Sequence, residues 1–223
     1  MSDMLVPVDP ARVEIHTLQD LILLYQSRLN DPSITSLSEI MLMTRSYQLQ
    51  AFALALEMIG DPSGCSSLVE VGCGCGCFLA HLRENGFQGE YLGIDLVAGF
   101  IEKAQSRHSG DAAARFVVGN FLDMRENDLP RHDYYAAISI FGYVPGGDFM
   151  RDVISKASRL AGKGSLLTCN SADHQMFSLS ARTYSPADVV SMCLDHGRTI
   201  DFKHRCVPVG NSHYAMIGAL IRR

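Results

Sequence analysis

The stretch SLVEVGCGCGCFLAHL, residues 67–82, decides how the rest of the chain is read. Ser67 to Val71 is a short, mostly apolar run. Three glycines then alternate with cysteines, and the residues from Cys77 onward open an amphipathic helical pattern. A strand passing through glycines into a helix needs residues that tolerate positive φ and let the backbone approach a ligand closely. The first N–H groups of the helix stay free to meet that ligand. A second landmark stands 23 residues after Gly72: Asp95, at the tip of the apolar run EYLGID (90–95). An acidic side chain there can accept hydrogen bonds from both hydroxyls of a ribose.

Outward from this core the same rhythm repeats. VAGFIEKAQSRH reads as a helix, ARFVVG (114–119) and YYAAISIF (134–141) as strands, and Phe149 to about Gly162 as a helix. GSLLTCN (164–170) is a fifth strand, followed by a helix over Pro186–His196. Short apolar strands alternating with helices predict a parallel sheet covered on both faces. RTIDFKHRC and HYAMIGALI are separated only by VPVGNS, too short for a crossover, so they must pair antiparallel. The expected fold is therefore α/β: a Rossmann-like, seven-stranded, mostly parallel sheet with an antiparallel last strand, plus N-terminal helices. Ahead of the sheet, one helix is expected from Leu18, with Leu21, Ile22, Leu24 and Tyr25 at helical spacing, until Asn30-Asp31-Pro32 stops it, and a second from Ser36 or Ser38 to Ile59. Residues 1–63 read as a helical lid and 64–223 as the binding domain, together one structural unit.

Composition excludes several classes. The chain has 223 residues, 47% of them hydrophobic, and a net charge of −5, which disfavours nucleic-acid and anionic-membrane partners. Charged or polar residues interrupt every apolar run, and the N-terminus lacks a secretory pattern, so a cytoplasmic protein is expected. Seven cysteines, an odd number, fit reduced thiols. Cys73, Cys75 and Cys77 are spaced C-x-C-x-C with glycine in each gap, unlike the paired knuckles of structural zinc, and no metal is expected.

The glycines follow G-x-G-x-G, whereas a dinucleotide fingerprint would need glycine where Cys77 stands. That pattern, preceded by Glu70 and combined with Asp95 and the antiparallel last strand, resembles the class I S-adenosylmethionine (SAM)-dependent methyltransferases. The resemblance covers about residues 67–221, with the small bacterial members nearest in pattern. It implies SAM as cofactor, with Glu70 and the backbone of Gly72, Cys73, Gly74 and Gly76 at its methionine end. Asp95 would hold the ribose, Leu96 would pack beside the adenine, Asn120 would meet the adenine amine, and Phe121 and Leu122 would line its pocket. Arg45 and Gln48, polar positions on the second helix, would reach the methionine end.

In an open α/β sheet the reacting groups gather beyond the carboxyl ends of the strands. This places Ser139 beside the cofactor and makes Tyr143, Asn170, Tyr184, Ser212 and His213 the catalytic candidates. The Asn/Asp-Pro-Pro-Tyr/Phe tetrapeptide of amine-methylating DNA and protein enzymes is replaced by S-I-F-G-Y, and no Pro-Cys nucleophile occurs. The expected activity is in-line methyl transfer to a small-molecule metabolite, as in secondary metabolism, with the oligomeric state open. Two alternatives keep the SAM site: a cyclase that consumes SAM to form an azetidine ring, and a silent SAM-binding subunit.

Overall fold

Period-two alternation splits the central strands between two buried faces. In β1 (Ser67–Val71), Leu68 faces one core and Val69 the other. Leu166 and Leu167 do the same in β5 (Gly164–Asn170), and Leu220 and Ile221 in β7 (Ser212–Arg222). The computed structural model describes residues 15–144, 146–173, 181–197, 199–209 and 212–223. Among these the sheet has seven strands, completed by β2 (Glu90–Asp95), β3 (Ala114–Val118), β4 (Tyr134–Ile138) and β6 (Thr199–Val209), in the order β3-β2-β1-β4-β5-β7-β6. β7 runs antiparallel to both β5 and β6, and the remaining neighbours pair in parallel. The order reverses between β1 and β4, and ligands of open α/β sheets bind at such a switch point.

One face is covered by α3 (Arg45–Ile59) and α4 (Cys77–Glu84). The other is covered by α6 (Phe149–Leu160) and α7 (Pro186–Leu194). Met150, Val153, Ile154, Ala157 and Leu160 form the buried stripe of α6 at helical spacing. α5 (Ala98–Arg107) lies over β2 and β3, and α1 (Leu18–Leu29) opens with a capping box between Thr17 and Asp20.

The single helix expected from Ser36 or Ser38 to Ile59 is two. α2 (Leu37–Ile40) stops, Leu42 turns to a positive φ of 58°, and α3 restarts with the Thr44 hydroxyl accepting from the Tyr47 amide. The two parts have different docking sites. Met41 seats against Gly74, where a Cβ would lie 2.7 Å from its sulfur, while α3 lies along the sheet. One straight helix cannot serve both. β4 likewise ends at Ile138 rather than Phe141, because Ser139 takes a φ of 57°.

The boundary expected at residue 63 does not separate a lid from a finished domain. α3 contributes Tyr47, Phe52, Leu54, Met58 and Ile59 to the core. It approaches β7 so closely that a Cβ on Gly218 would sit 2.6 Å from Met58 and 2.9 Å from Leu54. Only α1 and α2 lie outside this layer. Leu54→Ala should therefore cost about 3 kcal/mol in urea unfolding, as for other fully buried leucines. Leu23→Ala, on the exposed side of α1, should stay within about 0.5 kcal/mol.

Candidate active site

Gly72, Gly74 and Gly76 have φ of 73°, 53° and 70°, a left-handed path that other residues rarely take. A Cβ at Gly72 would also overlap the Ile140 side chain, so the turn needs glycine for space. The amides of Gly72 and Cys73 donate to the Ile94 carbonyl at 2.7 and 3.1 Å. Asp95 locks the turn: Oδ2 accepts from the Gly74 amide at 2.8 Å and Oδ1 from the Val97 amide at 2.9 Å. The Leu96 amide also bonds this carboxylate, and since an ionised carboxylate offers about four acceptor positions, one remains for a ligand.

The other expected cofactor residues are disposed unevenly. Glu70 is 3% exposed and accepts a hydrogen bond from the Tyr91 hydroxyl on β2, so its carboxylate sits beneath the loop. Cys73 packs against Gly93, Cys75 joins the cluster under α1 and α2, and Cys77 meets the Arg107 guanidinium at 3.5 Å. Burial pushes the Cys75 thiol up to about 12 and raises Cys73 and Cys77 as well. Among the described residues no cluster of three or more His, Cys, Asp or Glu could hold a metal. Leu96 packs with Ile40, Met41, Val97 and Phe100, the apolar seat of α1 and α2. Arg45 is exposed in the first turn of α3, near enough for Cys77 to feel its charge, and Gln48 is buried.

In the loop after β3, Asn120 closes its own turn. Its Oδ1 accepts from the Leu122 amide at 3.1 Å and its Nδ2 donates to Asp123 at 2.9 Å. The Phe121 side chain does not line a pocket: its ring is 3% exposed in the α6-side core, 5.9 Å from that of Tyr135. Leu122 packs against that same core. The apolar side chains of this turn gain more by burial than by facing a polar cleft.

At the carboxyl ends of β4 and β5 a hydroxyl network forms. The Tyr47 hydroxyl donates to Asn170 Oδ1 at 2.7 Å, and the Ser139 hydroxyl lies 3.3 Å from Tyr47 and 3.1 Å from Thr168. Two bonds from the Ser139 amide, to the carbonyl and hydroxyl oxygens of Thr168, hold the serine in its left-handed conformation. A non-glycine residue retained there is a form of strain that gathers at functional sites. Ser139 thus stands with the acceptor-side candidates. Tyr143 joins them by its electrostatic coupling to both Tyr25 of α1 and Tyr47 of α3.

Tyr184 does not offer a free hydroxyl. It donates to the Phe141 carbonyl at 3.1 Å and its amide donates to the Asn170 carbonyl at 2.9 Å, so it braces the two loops. Ser212 and His213 begin β7, opposite Val209 and Pro208, but their side chains lie outside the described residues. Sequence reasoning missed Tyr25 and gave Tyr47 only a polar-strip role. The available signal was a tyrosine beside a glutamine in an otherwise apolar helix.

Comparison with known proteins agrees with this geometry. A family model described as a methyltransferase domain matches residues 69–167, from the first strand to the fifth. Residues 69–167 therefore carry a methyltransferase domain. Among solved structures, it is similar to the Burkholderia thailandensis 1,6-didemethyltoxoflavin N1-methyltransferase, crystallised with that compound and S-adenosylhomocysteine (TM-score 0.67, 14% identity, 92% of this chain and 90% of that one). The magnesium protoporphyrin IX methyltransferase of Synechocystis, with S-adenosylhomocysteine bound, gives a TM-score of 0.64 at 14% identity, over 88% of this chain and 93% of that one. A SAM-dependent methyltransferase from Aquifex aeolicus gives 0.56 at 19% identity, over 87% and 96%. No curated protein matches in sequence.

The residues of this methyltransferase fit SAM. The glycine turn takes its left-handed path with Ile140, Met41 and His108 packed on its glycines, and Asp95 keeps acceptor capacity for a ribose hydroxyl. Burial pushes Glu70 up to about 8, with the Tyr91 hydroxyl bond opposing and the like charge of Asp95 adding. Burial also pushes Asp95 up to about 6, against the amide bonds from Val97 and Gly74. The two carboxyls ordinarily titrate at 4.5 and 3.8, so between about pH 4 and 8 the folded protein holds more protons than the unfolded chain. The stability they lend is complete below their ordinary values and is lost as pH rises through the raised ones. The unfolding free energy of the unliganded methyltransferase, measured in urea, should therefore fall from pH 6 to 8.5, by up to about 1.4 kcal/mol per pH unit for each proton. Glu70→Gln should flatten the part of that decline above pH 6.5; a parallel decline in the variant would remove Glu70 as its source.

Proposed function

We propose that this methyltransferase acts on a small-molecule metabolite in the cytoplasm, transferring the methyl group in line from SAM to an acceptor seated beside Tyr47. The observation that carries the reading is the bonded set Tyr47–Asn170–Ser139 at the carboxyl ends of β4 and β5, with Tyr143 near enough to raise the Tyr47 hydroxyl further. Hydroxyls and an amide approached by tyrosines suit an uncharged or planar molecule better than a polymer backbone. The net charge of −5 also disfavours nucleic acid. The relatives named for didemethyltoxoflavin and magnesium protoporphyrin IX support a small acceptor and a role in specialised metabolism.

SAM, when bound, supplies a methyl group made electrophilic by its sulfonium. The protein's part is alignment and control of water and protons. Asp95 holds the ribose with its remaining acceptor capacity, and the loop from Gly72 to Gly76, its turn fixed by bonds to Ile94, Cys73 and Asp95, lies beside the methionine end. Burial keeps the Tyr47 hydroxyl protonated at neutral pH, so it does not act as a base; with its proton given to Asn170 and a bond accepted from Ser139, it orients the acceptor by fixing those two side chains. α1 and α2 are the lid: Met41 sits over Gly74 and Tyr25 packs on Phe100 at 5.2 Å, which keeps water from the site. Arg45 stands on the loop side and is the cation for the methionine carboxylate.

Calorimetry should show SAM and S-adenosylhomocysteine binding in the micromolar range and no NAD binding; the reverse pattern would sink the reading. Asp95→Asn should weaken S-adenosylhomocysteine by about 30-fold, the loss of roughly 2 kcal/mol of charge-assisted hydrogen bonding. Tyr47→Phe should leave that affinity within about threefold. Turnover with an acceptor found by screening small heteroaromatic and phenolic compounds should drop about tenfold, the cost of one orienting hydrogen bond.

A further inference from the structure

Lys156 is a lysine only 6% exposed, and no step above uses it. It lies on α6, and its ammonium donates to three main-chain carbonyls of the loop after β3: Phe121 at 2.5 Å, Leu122 at 3.2 Å, and Met124. It also sits 4.8 Å from the centre of the Phe121 ring. An ammonium has three donors, and all three are spent on one turn. The turn is gripped from its other side as well. The Gly119 amide donates to the Asp95 carbonyl at 2.8 Å, and a Cβ on Gly119 would overlap the Met124 side chain. Asn120 stands between these two grips.

A cation buried on a helix is costly unless its partners need it, and these carbonyls do. The turn is too short to satisfy them by helical bonding, and the Phe121 ring holds them inside the core. We infer that Lys156 is a positioning residue for the cofactor's base: by gathering the three carbonyls it keeps the Asn120 turn at a fixed distance from Asp95. Base and ribose are then met at one spacing. The inference rests on the reading of Asp95 and the Asn120 turn as the adenosine end of the SAM site. It gives the buried lysine a role in choosing the base as well as in packing.

The test compares wild type, Lys156→Met and Lys156→Gln, each checked by thermal melting. Calorimetry is run with S-adenosylhomocysteine and with S-inosylhomocysteine, which carries oxygen in place of the adenine amine. Wild type should prefer the adenosyl compound by about tenfold or more. In folded Lys156→Met that preference should fall to about twofold, through weaker binding of the adenosyl compound and little change for the inosyl one. Lys156→Gln keeps two N–H donors and should fall between them. An unchanged preference in either folded variant, or an equal loss for both ligands, would overturn the inference and leave the lysine a packing residue. Failure of both variants to fold would overturn it too, since the lysine would then serve the fold itself. If wild type binds neither compound, the reading of the site fails first, and the inference with it.

Discussion

The Asp95 carboxylate, accepting from the Gly74 amide on one oxygen and the Val97 amide on the other, is the constraint on which the site depends. These two bonds tie the loop after β1 to the tip of β2 and stop the glycine turn from relaxing. A flexible turn would have to be ordered by its ligand, at about 1–2 kcal/mol of backbone entropy per residue. Here much of that ordering is done in the free protein. The arrangement has its own cost: Asp95 and Glu70 are both buried, and the charge of Asp95 opposes ionisation of Glu70. Glu70, pushed up to about 8, therefore holds its proton at neutral pH in the free protein.

Around this fixed point the chain places two kinds of support. α3 is part of the sheet's covering layer and also carries Tyr47 to the ends of β4 and β5, so core packing and acceptor geometry share one helix. Shifting α3 along the sheet would break the close approach to Gly218 and withdraw the Tyr47 hydroxyl from Asn170 in the same movement. α1 and α2 are different in kind. Their apolar side chains join Cys75 of the glycine loop, Val97 and Phe100 in a cluster separate from the two sheet cores.

The fold was largely legible because its signals are local. Glycines at 72, 74 and 76, an acid at 95, apolar runs of strand length and a six-residue gap too short for a crossover are all short-range features, and the strand positions follow them within a residue or two at most ends. Two failures share a cause. The helix break at Leu42 and the early end of β4 at Ser139 contain no glycine or proline to announce them. Each non-glycine residue is held at positive φ by tertiary demands: the seating of Met41 on Gly74, and the bonds from the Ser139 amide to Thr168.

The site divides in the same way. The sequence by itself determined the glycine turn after β1 and the strand-end acid that locks it, since left-handed backbone needs glycine and the strand tip places the carboxylate beside it. Only the tertiary structure decided which aromatic side chains belong to the site. Phe121 and Tyr184 looked like site residues and are spent on the core and on a main-chain carbonyl. Tyr47, which looked like a polar strip on a helix, provides the central hydroxyl. An aromatic residue gains a similar burial energy wherever it packs, so its type does not say which cluster it joins. That choice is made by the angle at which each helix meets the sheet, and the angle depends on contacts more than a hundred residues apart, such as Tyr47 with Asn170.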